Sequence, residues 1–231
     1  MKKLIVFTGA GMSAESGIST FRDSDGLWEQ YRVEDVATPE GFAANPSLVL
    51  DFYNQRRKQL LTCKPNEGHY GLAALEDFFD VEIITQNVDD LHERGGSSSV
   101  LHLHGELMKA CAVNDLRTAY TLSPENPVIN LGDKDRWGVQ LRPFIVWFGE
   151  PVPLFETAAR KVQTADIFVV IGTSLKVYPA ASLLGYARQD IPVYLIDPHP
   201  VEVRRQGIHF IQAGASEGVR QLLTLLQCGH E

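Results

Sequence analysis

The stretch VLHLHGELMKACAVND, residues 100–115, places His102 and His104 two apart and follows them with a single cysteine, Cys111. Residues two apart on a strand share one face, so both imidazoles would point the same way. Three chemistries are open to such a pair. A histidine that titrates near neutral pH can serve as a general base. Two imidazoles can begin a metal site, but that needs at least a third ligand and none is near in sequence. Both can also be strand residues satisfied by hydrogen bonds. A second reactive set is TQNVDD, residues 85–90, where an amide and carboxylates follow an apolar run. Asn87 can donate and accept, while Asp89 can accept from an amide NH2 or cap a helix that begins just beyond it. A third is TGAGMSA, residues 8–14. Gly9, Gly11 and Ala14 have the G-x-G-x-x-G/A spacing that brings backbone N–H groups to a pyrophosphate, and a plain strand–helix turn produces the same pattern. Finally, Tyr53 and Arg56 are three apart in an amphipathic stretch and so share a helix face, which could hold an anion or be a solvated Arg56-Arg57-Lys58 surface.

These groups need a scaffold. Apolar runs recur at Leu4–Phe7, Val81–Ile84, Ile167–Ile171 and Val193–Ile196, each ending in a polar or glycine-bearing turn. Continuous apolar strands without polar alternation predict parallel strands buried on both faces, and open α/β sheets bind ligands at the carboxyl ends of such strands. Between them the sequence predicts helices. One is capped by Asn45, opens at Pro46 and runs to about Leu61; a second is capped by Asn66, with Leu72, Leu75 and Phe79 on its buried face. A third opens at Pro179 and runs through Ala187, and a last is capped by Ser216 and ends near Leu226. Two segments interrupt the alternation: 28–75, helical, and 106–141, polar and turn-rich. The expected fold is therefore α/β, a Rossmann-like doubly wound parallel sheet with a smaller inserted module, partly helical and partly loop and strand. All of 1–231 forms one domain in this reading, with 1–27, 76–105 and 142–231 in the large part and 28–75 and 106–141 in the small one. A dehydrogenase would place an acidic residue at the end of a second strand about twenty residues past the glycine loop. That region here is DSDGLWEQYRVED, which is no strand, so hydride transfer fits poorly.

With 44% hydrophobic and 22% charged residues the chain is an ordinary globular protein, and its net charge of −8 argues against a phosphate-backbone binder. No nucleic-acid partner is expected. The apolar run Leu4–Phe7 is shorter than the roughly seven to fifteen residues of a signal-peptide core, and nothing approaches the roughly twenty of a membrane span. A cytoplasmic protein without a membrane partner is expected, and a monomer is compatible with everything above. Three scattered cysteines, Cys63, Cys111 and Cys228, suggest no disulfide framework and cannot supply a four-cysteine zinc site.

Five motifs occur in one order: TGAGMSAESGISTFR (8–22), TQNVDDLHERGG (85–96), HLHGEL (102–107), RPFIVWFGE (142–150) and GTSLKVYPA (172–180). Together they resemble the sirtuins, NAD-dependent protein lysine deacylases, over essentially the whole chain. The resemblance implies NAD as a co-substrate and acylated lysine-containing proteins or peptides as partners, with nicotinamide, O-acyl-ADP-ribose and free lysine as products. It implies that Gly9, Ala10, Gly11, Ser13 and Ala14 line the NAD phosphates, and that Phe21, Arg22 and Trp28 belong to a segment that covers the cofactor. Gln86, Asn87, Val88 and Asp89 would face the nicotinamide and its ribose; Gly172, Thr173 and Ser174 would form a second nucleotide turn; Asp197 and Ala215 would meet the adenosine. His104 becomes the catalytic base, taking a proton from a ribose hydroxyl after the acyl oxygen attacks the anomeric carbon, with Asn87 beside it; His102 is assigned to structure. Substrate would lie as an added strand between Val146, Phe148 and Gly149 on one side and Val177 on the other. Ser19, Phe144 and Asp197 depart from the common family residues, which are proline, histidine and asparagine.

The combination Ala37, Tyr53 and Arg56 resembles class III sirtuins, whose Tyr and Arg receive a carboxylate-bearing acyl group. Arginine suits a carboxylate through paired N–H bonds, and a small Ala37 leaves room for the longer chain. Succinyl- or malonyl-lysine is thus the favoured substrate, with acetyl-lysine also open. Mono-ADP-ribosyl transfer and non-catalytic NAD sensing are the rivals; the first gives no reason for an acid-binding pair, and the second none for Asn87, Asp89 and His104 together. Sirtuins usually hold a structural zinc with two Cys-x-x-Cys pairs, whereas here Asn114 stands third after Cys111. The small module is expected to carry no metal and to pack around Leu116, Tyr120 and Trp137.

Overall fold

The computed structural model describes residues 1–18 and 31–228. Its main sheet has six strands, all parallel: β1 (Lys3–Thr8), β2 (Asp80–Thr85), β3 (Val100–His102), β7 (Ile167–Ile171), β8 (Val193–Ile196) and β9 (Ile208–Ile211), in the order β3-β2-β1-β7-β8-β9. The strand order reverses between β1 and β7, where an open α/β sheet forms its crevice. All four apolar runs of the sequence are strands here, and the reason is two-sided burial. Leu4 and Val6 face one way, against Leu72, Leu75, Val219 and Leu222; Ile5 and Phe7 face the other, against Ala158, Val162 and Leu183. The fold is the expected one, a Rossmann-like sheet with a smaller module beside it.

The module's second sheet is antiparallel, β5 (Asp115–Thr121), β4 (Gly105–Ala112) and β6 (Leu141–Ile145) in that order. Its core differs from expectation. Leu50, Ala110 and Ile129 are buried together with Phe42, Leu122 and Leu141 packed on them, whereas Leu116 and Tyr120 are only partly buried. Trp137 is 61% exposed and is covered on one face by the Arg136 guanidinium, 3.9 Å from the ring centre. Leu116 and Tyr120 lie on β5, the edge strand of this sheet, and Trp137 lies in the turns between β5 and β6, so the three do not meet in its core.

Short helices α1 (Gly11–Ala14), α2 (Val33–Val36) and α3 (Pro39–Ala44) precede the long α4 (Pro46–Thr62), where Asn45 Oδ1 accepts from Leu48 N at 3.1 Å as the cap pattern requires. Asn66 likewise caps α5 (Glu67–Ala74), in a reciprocal box with His69. This helix, placed by sequence in the small module, instead packs on the main sheet, because Leu72 and Leu75 join the same cluster as α8 (Ala215–Cys228). Two helix assignments change. Residues Ala180–Tyr186 form a 3-10 helix after a cis Tyr178–Pro179 bond rather than an α-helix. Ser216 lies inside α8 and does not cap it; its N–H donates to Glu15 Oε1 at 3.2 Å, so a carboxylate from the glycine loop meets the helix start. Helices α6 (Leu91–Arg94) and α7 (Phe155–Gln163) complete the elements, and among the described residues no helix is long and apolar enough to cross a membrane.

Candidate active site

The crevice starts where two turns meet backbone to backbone. Gly9 N donates to Ile171 O and Gly11 N to Gly172 O, each at 2.9 Å. A Cβ on Gly11 would lie 2.7 Å from the Gly172 Cα, and Gly172 itself adopts φ +62° with its missing Cβ 2.4 Å from Met12 N. The glycines therefore serve close packing of the two loops, and the Gly9 and Gly11 amides are already engaged. Ala10, Gly11, Ser13 and Ala14 still line a cleft of about 570 Å³ together with Gly172, Thr173 and Ser174, while Gly9 lies beneath it.

From β2 the chain turns into the cleft through Gln86, Asn87, Val88 and Asp89, all at its wall. Gln86 Oε1 accepts from the Thr173 hydroxyl at 3.0 Å, which ties this loop to the second turn. Asn87 Nδ2 donates to Gly9 O at 3.0 Å and Ser13 Oγ at 3.1 Å. With both amide hydrogens so used, Asn87 can only accept from a ligand, through Oδ1. Asp89 takes the capping role at the start of α6, where Oδ1 accepts from Leu91 N at 3.2 Å, and its Oδ2 accepts from the Ser13 hydroxyl at 3.0 Å. Burial pushes its carboxyl pKa up, against the pull of those two hydrogen bonds.

The histidine pair holds two successive carbonyls of that loop. His104 Nδ1 meets Gln86 O at 3.1 Å, and His102 Nδ1 meets Asn87 O at 3.2 Å. A carbonyl only accepts, so His104 carries its proton on Nδ1 and presents Nε2 as a lone pair. Burial pushes its pKa down, partly offset by the Gln86 bond, which leaves the ring neutral and basic near pH 7. His104 lines the cleft; His102 does not. Instead His102 Nε2 lies 2.8 Å from Glu93 Oε1.

The far end of the cleft is built by α4 and the segment after β6. Ala37, Tyr53, Arg56, Val146, Phe148, Gly149 and Val177 all line it. Phe148 N donates to Ala37 O at 3.0 Å and Val146 N to His104 O at 2.9 Å, which fixes the segment against both walls. Trp147, missing from the sequence-derived site, donates its indole N–H to the Tyr53 hydroxyl at 3.0 Å across 94 positions of sequence. Its ring carries the Arg142 guanidinium 3.3 Å from the centroid, and Arg142 donates two hydrogen bonds to the Glu150 carboxylate, at 2.6 and 2.9 Å. The alternation W-F-G-E in a turn was the only sequence signal for this bracket. The basic run of α4 is not a solvated face: Arg57 is fully buried, while Lys58 is exposed.

Asp197, buried at the end of β8, lines the cleft and accepts from His199 N at 2.9 Å through Oδ1. Ala215 does not reach it; the neighbouring Gly214 does. Phe144 is half-buried on β6, and its carbonyl lies where any side chain on Gly105 would sit, at 2.0 Å from the missing Cβ. Gly105 also has φ +84°, so the residue after His104 must be glycine. Cys111 is buried in β4, and burial pushes its thiol up to about 12; Sγ faces Pro143 O. Ser19, Phe21, Arg22 and Trp28 lie outside the described residues.

A cleft at the carboxyl ends of parallel strands, with an acceptor amide and a buried carboxylate on the loop after β2 and a neutral imidazole from the turn after β3, defines a Rossmann-like nucleotide-dependent enzyme. The Sir2 family model matches residues 9–179, and the chain belongs to that family. A protein of Bacteroides thetaiotaomicron named NAD-dependent protein deacylase is 60% identical over 230 residues, covering 98% of both chains. One of the same name from Helicobacter pylori is 50% identical, again with 98% of both chains covered. The structure of a Sir2 homologue in complex with NAD superimposes with a TM-score of 0.87 at 38% identity, covering 99% of this chain and 90% of that one. A Sir2 bound to p53 peptide and NAD+ superimposes at 0.79 with 28% identity, over 97% of this chain and 93% of that one.

Proposed function

We propose that this NAD-dependent protein deacylase prefers acyl-lysines that end in a carboxylate, succinyl or malonyl, over acetyl-lysine. One observation carries the reading: the indole N–H of Trp147 donates to the Tyr53 hydroxyl at 3.0 Å. An indole can only donate, so the phenol accepts there and its own proton is left for another acceptor. Burial pushes the Tyr53 pKa up, so the phenol keeps that proton. Arg56 beside it offers only donors as well, and burial of its guanidinium is opposed by Tyr53 and Asp89. A pocket end made of an O–H donor and a guanidinium suits an anion and leaves a methyl group without a partner. Ala37 keeps the space in front of them open.

The donor set at the other end suits NAD. Asn87 offers an acceptor, Asp89 a buried carboxylate for an amide NH2, and Asp197 a second carboxylate where ribose hydroxyls can donate. When bound, NAD supplies an anomeric carbon that an acyl oxygen can attack as nicotinamide leaves. His104 takes up the ribose hydroxyl proton at Nε2, its Nδ1–H staying on Gln86 O. Ser13 holds Asp89 and Asn87 in register, and the Gln86–Thr173 bond keeps the two nucleotide turns together. Residues 146–149 and 175–178 flank the mouth of the cleft, where a peptide can add main-chain bonds with little demand on its sequence.

The test is incubation with NAD and succinyl-, malonyl- or acetyl-lysine peptide, following free lysine peptide and nicotinamide. Turnover should favour the two acidic groups, and Arg56→Met should abolish that preference while sparing acetyl-lysine. Acetyl-lysine turnover that exceeds the others and ignores Arg56→Met would sink the acid-pocket reading. Nicotinamide release with ADP-ribose left on protein would favour transfer instead.

A further inference from the structure

His102 lies outside the cleft, yet it bonds the backbone of a residue inside it. Its two ring nitrogens face Asn87 O at 3.2 Å and Glu93 Oε1 at 2.8 Å. A carbonyl and a carboxylate both only accept, so both contacts are hydrogen bonds only if the ring carries two N–H groups and a positive charge. We propose that His102, held as an imidazolium between Glu93 and the Asn87 carbonyl, is a positioning residue that fixes Asn87 and sets the alkaline limit of activity. The inference rests on the reading of Asn87 as a group that faces NAD.

The neighbourhood favours that charge. Helix α6 brings Glu93, and also His92, which is buried and held neutral; its Asp90 and Arg94 pair with each other at 3.4 Å. Strand β4 brings Glu106, paired at 2.6 Å with Lys109, and the loop after β2 brings Asp89. Burial works against a charged His102, but the Glu93 bond and the attraction of Glu93 and Glu106 outweigh it, so the pKa of the ring is raised. His104, in the turn just past β3 and bonded to the adjacent carbonyl, has no carboxylate partner among the described residues, and burial lowers its pKa. Two neighbouring imidazoles are thus pushed in opposite directions, one to a fixed acid and one to a base.

Asn87 is otherwise held by its side chain to Gly9 O and Ser13 Oγ and by its N–H to Thr85 Oγ1 at 3.0 Å. The His102 contact is the one that holds its carbonyl. When pH rises through the raised His102 pKa, the ring keeps a single N–H. A lone pair then faces either Asn87 O or the Glu93 carboxylate, and one side of the clamp opens. Activity should therefore have an acid limb from His104 and an alkaline limb from His102.

The experiment compares wild type with Glu93→Gln and His102→Gln, measuring NAD binding and kcat/KM on acyl peptide from pH 5 to 10, with the His102 ring followed by NMR. Glu93→Gln keeps an acceptor but removes the charge, so the alkaline limb and the His102 titration should both fall by at least about one pH unit, with the acid limb unmoved. His102→Gln can still donate to Asn87 O and cannot titrate, so its profile should lose the alkaline limb. Limbs unmoved in both variants overturn the proposal. So does a uniform loss at every pH with a parallel fall in Tm, which marks a residue that merely supports the fold. Absence of turnover on every acyl peptide would refute the deacylase reading, while the ring titration and the NAD-binding profile would still decide the clamp.

Discussion

Tyr53→Phe separates acid recognition from general packing with the loss of one oxygen. The ring would remain edge-on to Phe52 at 5.1 Å and near Trp147 at 6.4 Å, so the shape of the pocket persists. Two effects follow, and they fall on different observables. A succinyl carboxylate loses one hydrogen bond from a buried phenol; bonds to charged groups contribute about 1.5–3 kcal/mol, which is roughly a 10- to 150-fold drop in kcat/KM. Acetyl-lysine has no atom at that position and should be turned over as before. Separately, the Trp147 indole N–H, on a residue 3% exposed, loses its acceptor. An orphaned buried donor costs about 1–3 kcal/mol of fold stability whichever substrate is present. Tm should fall by several degrees, and adding Trp147→Phe should recover part of it, because the orphan is then gone. The assay is kcat/KM on matched succinyl and acetyl peptides at saturating NAD, beside a thermal melt of each variant. Equal losses on both peptides would refute the reasoning, since the phenol would then be shaping the site rather than reading the acid.

Further outcomes concern the base, the acid range and the small module. His104→Ala should cut deacylation by about 10²- to 10⁴-fold with Tm retained. On the acid side, wild-type activity should hold until pH drops through a value below 6.5, because burial lowers the His104 pKa; a rate profile checks it. His69 is fully buried, and burial takes its pKa from 6.5 to about 4. Between those values the unfolded chain binds a proton that the folded chain refuses, so stability is complete above the upper value and is lost as pH falls toward the lower. The loss should reach about 3 kcal/mol, read from urea midpoints at successive pH values. Arg57→Met keeps apolar bulk but strips the Pro127 and Leu107 carbonyls of a donor, and should cost about 2–4 kcal/mol with little effect on KM.

What could be read in advance follows the range of the interactions. Burial on both faces leaves continuous apolar runs, so β1, β2, β7 and β8 were visible, and so were the turns at their ends. Asn45 and Asn66 cap helices through bonds three residues long, which sequence carries directly. Motif order located most of the cleft wall. Contacts between distant positions left no such trace. Trp147 and Tyr53 meet only because β6 and α4 pack together, and Glu93 reaches His102 only once α6 folds beside β3. The glycine loop carries a feature its spacing does not reveal: the missing side chains of Gly11 and Gly172 also make room for each other's loop. Ser216 was misjudged because a serine ahead of an apolar run looks alike whether it precedes the helix or sits in its first turn, and of the two readings open for the basic run of α4 the solvated one fails at Arg57, which is buried.

Arg57 and Asn54 have a wider consequence. Arg57 Nε donates to Pro127 O at 2.6 Å and Nη1 to Leu107 O at 3.4 Å, while its other nitrogen meets Asn54 Oδ1. Asn54 in turn exchanges two bonds with the Ile129 backbone, each at 3.0 Å. Two side chains one helical turn apart thus rivet two remote backbone segments, Leu107 on β4 and residues 127–129, to α4. Such a rivet is made of hydrogen bonds from side chains without a thiol, and although burial lowers the Arg57 pKa to about 10, the guanidinium keeps its charge near neutral pH. The strength of this joint lies in bonds between two side chains and backbone carbonyls and amides, so it does not depend on the redox state of any cysteine.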